Sequence, residues 1–177
     1  MNKFIILEGC DGVGKSSVAI ELAGLINGVY YKTPPPLFAK IRHEIETAND
    51  YYLRFYYYLT STLYASLEIK ELLKNTSVVC DRYIYTTIAY HRALGIKIPN
   101  GLDKLMFTPD YSFCLCVREN IQKQRISERA TLGAFDSAFE FQKKVFQQFK
   151  KLKLDLFDTS NLNALESAQK ILQRITL

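Results

Sequence analysis

Eight residues constrain this chain more than any others. Gly9-Cys10-Asp11-Gly12-Val13-Gly14-Lys15-Ser16 fits Gly-x-x-x-x-Gly-Lys-Ser without a gap. The apolar run Phe4-Ile5-Ile6-Leu7 leads into the loop, and Val18, Ala19, Leu22, Ala23 and Ile26 follow it at helical spacing. A strand, a glycine loop and a helix in that order make a cradle for a polyphosphate. Glycines let backbone N–H groups curl round an anion where Cβ atoms would block the approach. The helix beginning near Lys15 points the positive end of its dipole at the same place. Lys15 is placed to neutralise the β- and γ-phosphates, and the Ser16 hydroxyl to ligate Mg²⁺. The expected phosphate contacts are therefore Gly9, Gly12, Val13, Gly14, Lys15, Ser16 and Ser17. The competing reading is a plain strand–turn–helix that binds nothing.

The remaining pattern alternates strands with helices. Residues 29–31 read as a second strand halted by Pro34-Pro35-Pro36, and Tyr52, Tyr56, Leu59, Leu63 and Leu67 mark a long helix reaching about residue 74. Strands follow at 77–80, 111–117 and 154–157, with helices at 84–94, 120–130 and 137–152. The helix at 15–26 has Gly28 as its stop, and Asn163 with Glu166 forms a capping box for the last helix. This alternation implies an α/β fold with a parallel sheet and ligands at the carboxyl ends of its strands. No linker or repeat divides the chain, so one domain is expected.

Apolar runs are too short to span a bilayer, and Glu8 and Asp11 follow the first of them at once, so no signal peptide is expected and the protein is placed in the cytosol. A net charge of +5 without a dense Lys/Arg stripe argues against a nucleic-acid partner. Cys10, Cys80, Cys114 and Cys116 form no Cys-x-x-Cys pair and read as buried, reduced thiols; His43 and His91 are too isolated for a metal site.

Asp81 ends the third strand, where its carboxylate can hold Mg²⁺ through water, and Arg82 beside it suits bidentate phosphate binding. With these residues the chain resembles the thymidylate kinases among the nucleoside-monophosphate kinases. The likeness rests on the segment from Phe4 to Ser17, on Asp81-Arg82-Tyr83, and on Pro109-Asp110 before the fourth strand. The resemblance implies a three-layer P-loop kinase fold, a five-stranded parallel sheet with helices on both faces, spanning residues 1–177 with a short lid near 118–136. It implies transfer of phosphoryl from ATP, with Mg²⁺, to a deoxynucleoside monophosphate, usually dTMP, giving dTDP. Carried over by position, Asp11 binds the acceptor sugar, Arg82 its phosphate, Tyr57 its base and Tyr90 its deoxyribose. Thr87 joins them on the acceptor side, and Lys32 substitutes for a missing arginine. Val13 stands where some members carry a catalytic arginine, which moves that role to the lid, to Arg125 or Arg129. The Thr33–Pro34 bond is expected to be cis by the same resemblance.

The departures bear on the base. Counting back from Asp81 without gaps, the family's base-reading arginine falls on Ser61, which is too short to replace it, so looser base selectivity is expected. Arg54 lies about two turns away on the same helix, and His91 stands where a glutamine is common. The aromatic helix face is large enough for a homodimer contact. A kinase for another nucleotide, nucleoside or small acceptor remains open, as does a nucleotide-binding module without turnover.

Overall fold

Phe4–Glu8 (β1), the apolar run before the glycine loop, is buried along its whole length because it lies at the centre of the sheet. The computed structural model describes residues 1–127 and 135–175. Within them, β1 is flanked by Val78–Asp81 (β3) and Tyr111–Cys116 (β4), with Val29–Lys32 (β2) and Asp155–Asp158 (β5) at the edges. The order is β2-β3-β1-β4-β5, and all four pairings are parallel. A strand covered on both faces shows no polar face, so β1 reads as an unbroken apolar run. Edge strands β2 and β5 carry the exposed residues.

Alternate residues of β1 serve opposite faces. Ile5 and Leu7 pack with Val18 and Leu22 of α1 (Lys15–Leu25), Val145 and Phe149 of α7 (Phe135–Phe149), and Ile171 of α8 (Ala164–Leu172). Phe4 and Ile6 pack with Phe55, Ala65 and Ile69 of α4 (Tyr51–Leu72) and with Ile84 and Ile88 of α5 (Ile84–Ala93). The result is the expected three layers. Each fully buried Ile, Leu or Phe contributes about 1.5–3 kcal/mol, so the sheet is held firmly from both sides.

Helix ends are set locally. Asp50 caps α4 by accepting from the Tyr52 and Leu53 amides at 2.8 and 2.9 Å, and Asn163 and Glu166 form the expected capping box at α8. The left-handed residue that ends α1 is Asn27 (φ 49), rather than the expected Gly28. Thr33–Pro34 is cis, as expected. Two short helices absent from the sequence reading follow it, α2 (Pro36–Ala39) and α3 (Arg42–Thr47). The segment expected to form a lid holds α6 (Glu119–Ser127) and the start of α7; Arg129 lies outside the described residues. All four cysteines are unpaired, three of them buried and Cys116 only partly so. Among the described residues no helix is long and apolar enough to cross a membrane.

This topology fixes where chemistry can occur. Leu7 lies opposite Asp81 in the β1–β3 register, so the loops leaving those two strands emerge side by side at the carboxyl edge. The strand order switches sides at β1, with β3 on one side and β4 on the other, which is where open α/β sheets bind ligands.

Candidate active site

The loop after β1 depends on its glycines. Gly9 has φ 135, and a Cβ there would stand 2.4 Å from the Leu115 carbonyl oxygen. Gly14 has φ 90 and is the N-cap of α1, where no side chain makes a capping hydrogen bond. Val13 is buried in the core and anchors the loop. Ser17 lies exposed on the first turn of α1. Lys15 is 6% exposed and its Nζ donates to the Cys10 carbonyl at 2.6 Å, so it spans the loop rather than facing solvent. Burial, reinforced by the nearby Arg82 charge, pulls its pKa down to about 8 against the opposing pull of Asp11 and Asp81.

Beside the loop, the Ser16 hydroxyl donates to Asp81 Oδ2 at 2.5 Å, and the Tyr30 hydroxyl reaches the same oxygen at 3.3 Å. Asp81 is 1% exposed, and its Oδ1 is buried with no hydrogen-bond partner. A buried carboxylate oxygen left unpaired next to a hydroxyl and a phosphate cradle fits a hydrated divalent cation.

Asp11 and Arg82 form a junction between the loop and a second space. The Arg82 guanidinium pairs with Asp11 Oδ1, and its centre lies 5.5 Å from the middle of the Tyr90 ring. Asp11 Oδ2 accepts from the Tyr90 hydroxyl at 3.0 Å and from Gln142 Nε2 at 3.1 Å, while the Asp11 amide donates to Gln142 Oε1 at 2.9 Å. Desolvation pushes the Asp11 carboxyl pKa up, but Arg82 and then Lys15 outweigh it and hold the group ionised below its usual range. Arg82 itself has φ 69, a left-handed backbone unusual for a branchless but bulky side chain. Glu8, fully buried, stabilises that turn. It accepts from the Tyr83 and Tyr85 amides at 3.0 and 3.1 Å and from the Thr86 hydroxyl, capping α5 from a neighbouring strand.

Beyond the junction lies a cavity of about 630 Å³, within the range of small-ligand sites. Asp11, Lys32, Arg82, Thr87 and Tyr90 all line it, so five of the six residues assigned to the acceptor side meet there. Tyr57 does not. It is 6% exposed, its hydroxyl donates to the Phe38 carbonyl at 2.7 Å, and its ring packs against Phe38. The next residue, Tyr58, lines the cavity instead, its hydroxyl held by Glu46. The same one-residue shift applies at Ser61, which is buried with its hydroxyl on the Tyr58 carbonyl, whereas Thr62 lines the cavity. One residue turns a helix by about 100°, so the gapless count selects the wrong face.

From α6, Arg125 Nη1 donates to the Gly12 carbonyl at 3.2 Å, which brings this arginine onto the phosphate loop. Gln122 Nε2 donates to the Asp11 carbonyl at 2.8 Å. Sequence reasoning missed Gln122 and Gln142, which belong to no local motif; only their amides, with donor and acceptor on one group, hint at a loop clamp. Glu8 and Thr86 lie inside segments read from the sequence, but their roles at the turn went unassigned.

Residues 7–175 match the family described as thymidylate kinase. A probable thymidylate kinase from Methanocaldococcus jannaschii is 28% identical over 98% of this chain and 92% of its own length. One from Methanococcus maripaludis is 34% identical, covering 86% of this chain and 78% of the relative. Among solved structures, a thymidylate kinase from Candida albicans superposes with a TM-score of 0.77 at 21% identity, over 98% of this chain and 91% of that one. A second, from Ehrlichia chaffeensis, gives 0.69 at 20% identity, over 99% of each chain.

Proposed function

This chain belongs to the thymidylate kinase family, and on that premise we propose that it transfers the γ-phosphoryl group of ATP to dTMP, giving dTDP and ADP. The observation that carries this reading is the Asp11–Arg82 pair, which stands between the phosphate loop and the cavity. Donor phosphates on the loop and an acceptor in the cavity would meet at that pair. Gly9, Gly12, Val13, Gly14, Lys15, Ser16 and Ser17 hold the donor phosphates. Arg82 grips the acceptor phosphate, with Lys32 at the rim, while Asp11 and Thr87 position the acceptor sugar. Catalysis is then positional and electrostatic, with no covalent intermediate on the protein. Ser16 and Asp81 would hold Mg²⁺, whose charge offsets that of the β- and γ-phosphates when bound. Among the described residues no group of three His, Cys, Asp or Glu forms a cation cage. ADP release that requires dTMP tests the reading; ADP release indifferent to any monophosphate contradicts it.

We place the protein in the cytoplasm as a homodimer without a nucleic-acid partner. Tyr52, Tyr56 and Leu67 on α4 are 62, 60 and 66% exposed, an apolar face suited to a second copy.

Tyr90 makes a deoxyribose preference expected. Its ring lines the cavity and its hydroxyl is tied to Asp11, so its position is fixed where the sugar would lie. A ring held that rigidly excludes a 2′-hydroxyl by about 10²-fold or more in kcat/KM. Tyr90→Ala should bring the deoxy-to-ribo ratio for matched monophosphates toward unity; an unchanged ratio removes Tyr90 from sugar choice.

ATP binding should also take up part of a proton. Free Lys15, with its pKa near 8, is partly neutral above that pH, and a bound triphosphate raises the pKa and restores the charge. Calorimetry at about pH 8.5 in buffers of different ionisation enthalpy should show uptake that Lys15→Met abolishes. Equal uptake in the two proteins would assign the proton to another group.

A further inference from the structure

Arg54, Tyr58 and Thr62 follow one another at four-residue spacing on α4 and share one face, and all three line the cavity. Of these, Arg54 is conspicuous. Its Nε is buried and has no hydrogen-bond partner. An unpaired buried donor is costly, and such groups persist where a ligand completes them. Neighbouring Glu46 feels the Arg54 charge, while its Oε1 accepts from Arg42 and from the Tyr58 hydroxyl.

His91 lines the same cavity from α5. Its Nδ1 lies 2.7 Å from the Thr87 carbonyl, which only accepts, so the proton sits on Nδ1 and Nε2 carries a free lone pair. Burial, opposed by that hydrogen bond and reinforced by Arg54, depresses the pKa and keeps the ring neutral. The Phe55 and Tyr58 rings fix its plane at centroid distances of 5.4 and 5.9 Å. The cavity therefore offers a fixed donor and a fixed acceptor that the phosphate machinery does not use.

We propose that Arg54 and His91 read the acceptor base, Arg54 donating to a ring carbonyl and His91 Nε2 accepting from the adjacent ring N–H. The inference rests on the monophosphate-kinase reading and names its base class. Thymine and uracil present O4 beside N3–H, which this pair matches. Cytosine presents an amine beside a bare N3, which sets donor against donor and lone pair against lone pair. Neither Ser61 nor an arginine in its place is needed, and the loose base selectivity expected from Ser61 gives way to discrimination between oxo and amino pyrimidines.

The test is kcat/KM for dTMP, dUMP and dCMP in wild type, Arg54→Met, Arg54→Lys, His91→Phe and His91→Gln, with thermal unfolding to confirm that each variant folds. Wild type should favour dTMP over dCMP by about 10²-fold or more, with dUMP within about tenfold of dTMP. Arg54→Met and His91→Phe should cut the dTMP-to-dCMP ratio about tenfold or more, mainly through KM for dTMP, and Arg54→Lys should recover part of it. In His91→Gln the amide can turn to donate, so the ratio should fall by admission of dCMP. Equal use of dTMP and dCMP by wild type would overturn the proposal and leave the kinase reading standing, as would folded variants with an unchanged ratio. Inactivity of wild type toward every monophosphate would overturn both.

Discussion

Lys15→Met should lower kcat for phosphoryl transfer by about 10³-fold or more, while the protein still unfolds cooperatively at a temperature close to that of wild type. Lys15 is the lysine of the phosphate loop itself, so its charge on the moving phosphoryl group is lost outright. The fold survives for a local reason: Lys15 is buried and its ammonium is held by the Cys10 carbonyl. Its depressed pKa shows that the fold disfavours the charge it carries. Methionine keeps most of the stem volume and removes that desolvation cost, at the expense of one charge-assisted hydrogen bond worth about 1.5–3 kcal/mol. Stability and activity should therefore separate: kcat collapses and the unfolding midpoint holds or rises. A folded Lys15→Met protein with wild-type kcat would remove the loop from catalysis.

Arg125→Ala should lower kcat by about 10²–10³-fold with little change in the KM for ATP. Arg125 lies on α6, and its guanidinium rests on the Gly12 carbonyl, beside Gly14 and the start of α1. A neutral carbonyl is a weak partner for a guanidinium compared with a triphosphate, which would draw it the short distance onto the transferring group. Its bonds would strengthen as charge develops in the transition state, which is why the loss falls on kcat rather than on binding. Arg125→Lys should recover only part of the rate, since a point charge lacks the planar fork. Unchanged kcat in Arg125→Ala and in Arg129→Ala alike would show that the lid supplies no catalytic arginine.

Much of this site is legible in the sequence because its signals are local. The loop residues Gly9 to Ser16 are contiguous, and Asp81 and Arg82 are adjacent, so each group's place follows from one strand end. Strands β1 and β3 are legible because burial on both faces removes polar residues from short stretches. Tyr57 shows where this stops. Tyr57 and Tyr58 are chemically alike, so composition does not say which faces the cavity, and a single residue of misregister turns the side chain away. Gln142 is illegible for a different reason: it meets Asp11 across 131 residues of sequence, through a helix whose docking no local pattern encodes. Arg54 combines both problems. Its position on α4 is readable, but its unpaired Nε appears only once α3 and α5 have closed around it.

The central claim is that the phosphate loop and the cavity hold two substrates whose phosphates meet at Asp11 and Arg82. Incubation of the protein with ATP labelled at the γ-phosphorus, dTMP and Mg²⁺, followed by separation of the nucleotides, tests it most directly. Label should appear in dTDP, with ADP formed in equal amount and no ADP formed when dTMP is left out. Label released as free phosphate at the same rate with or without dTMP would contradict it.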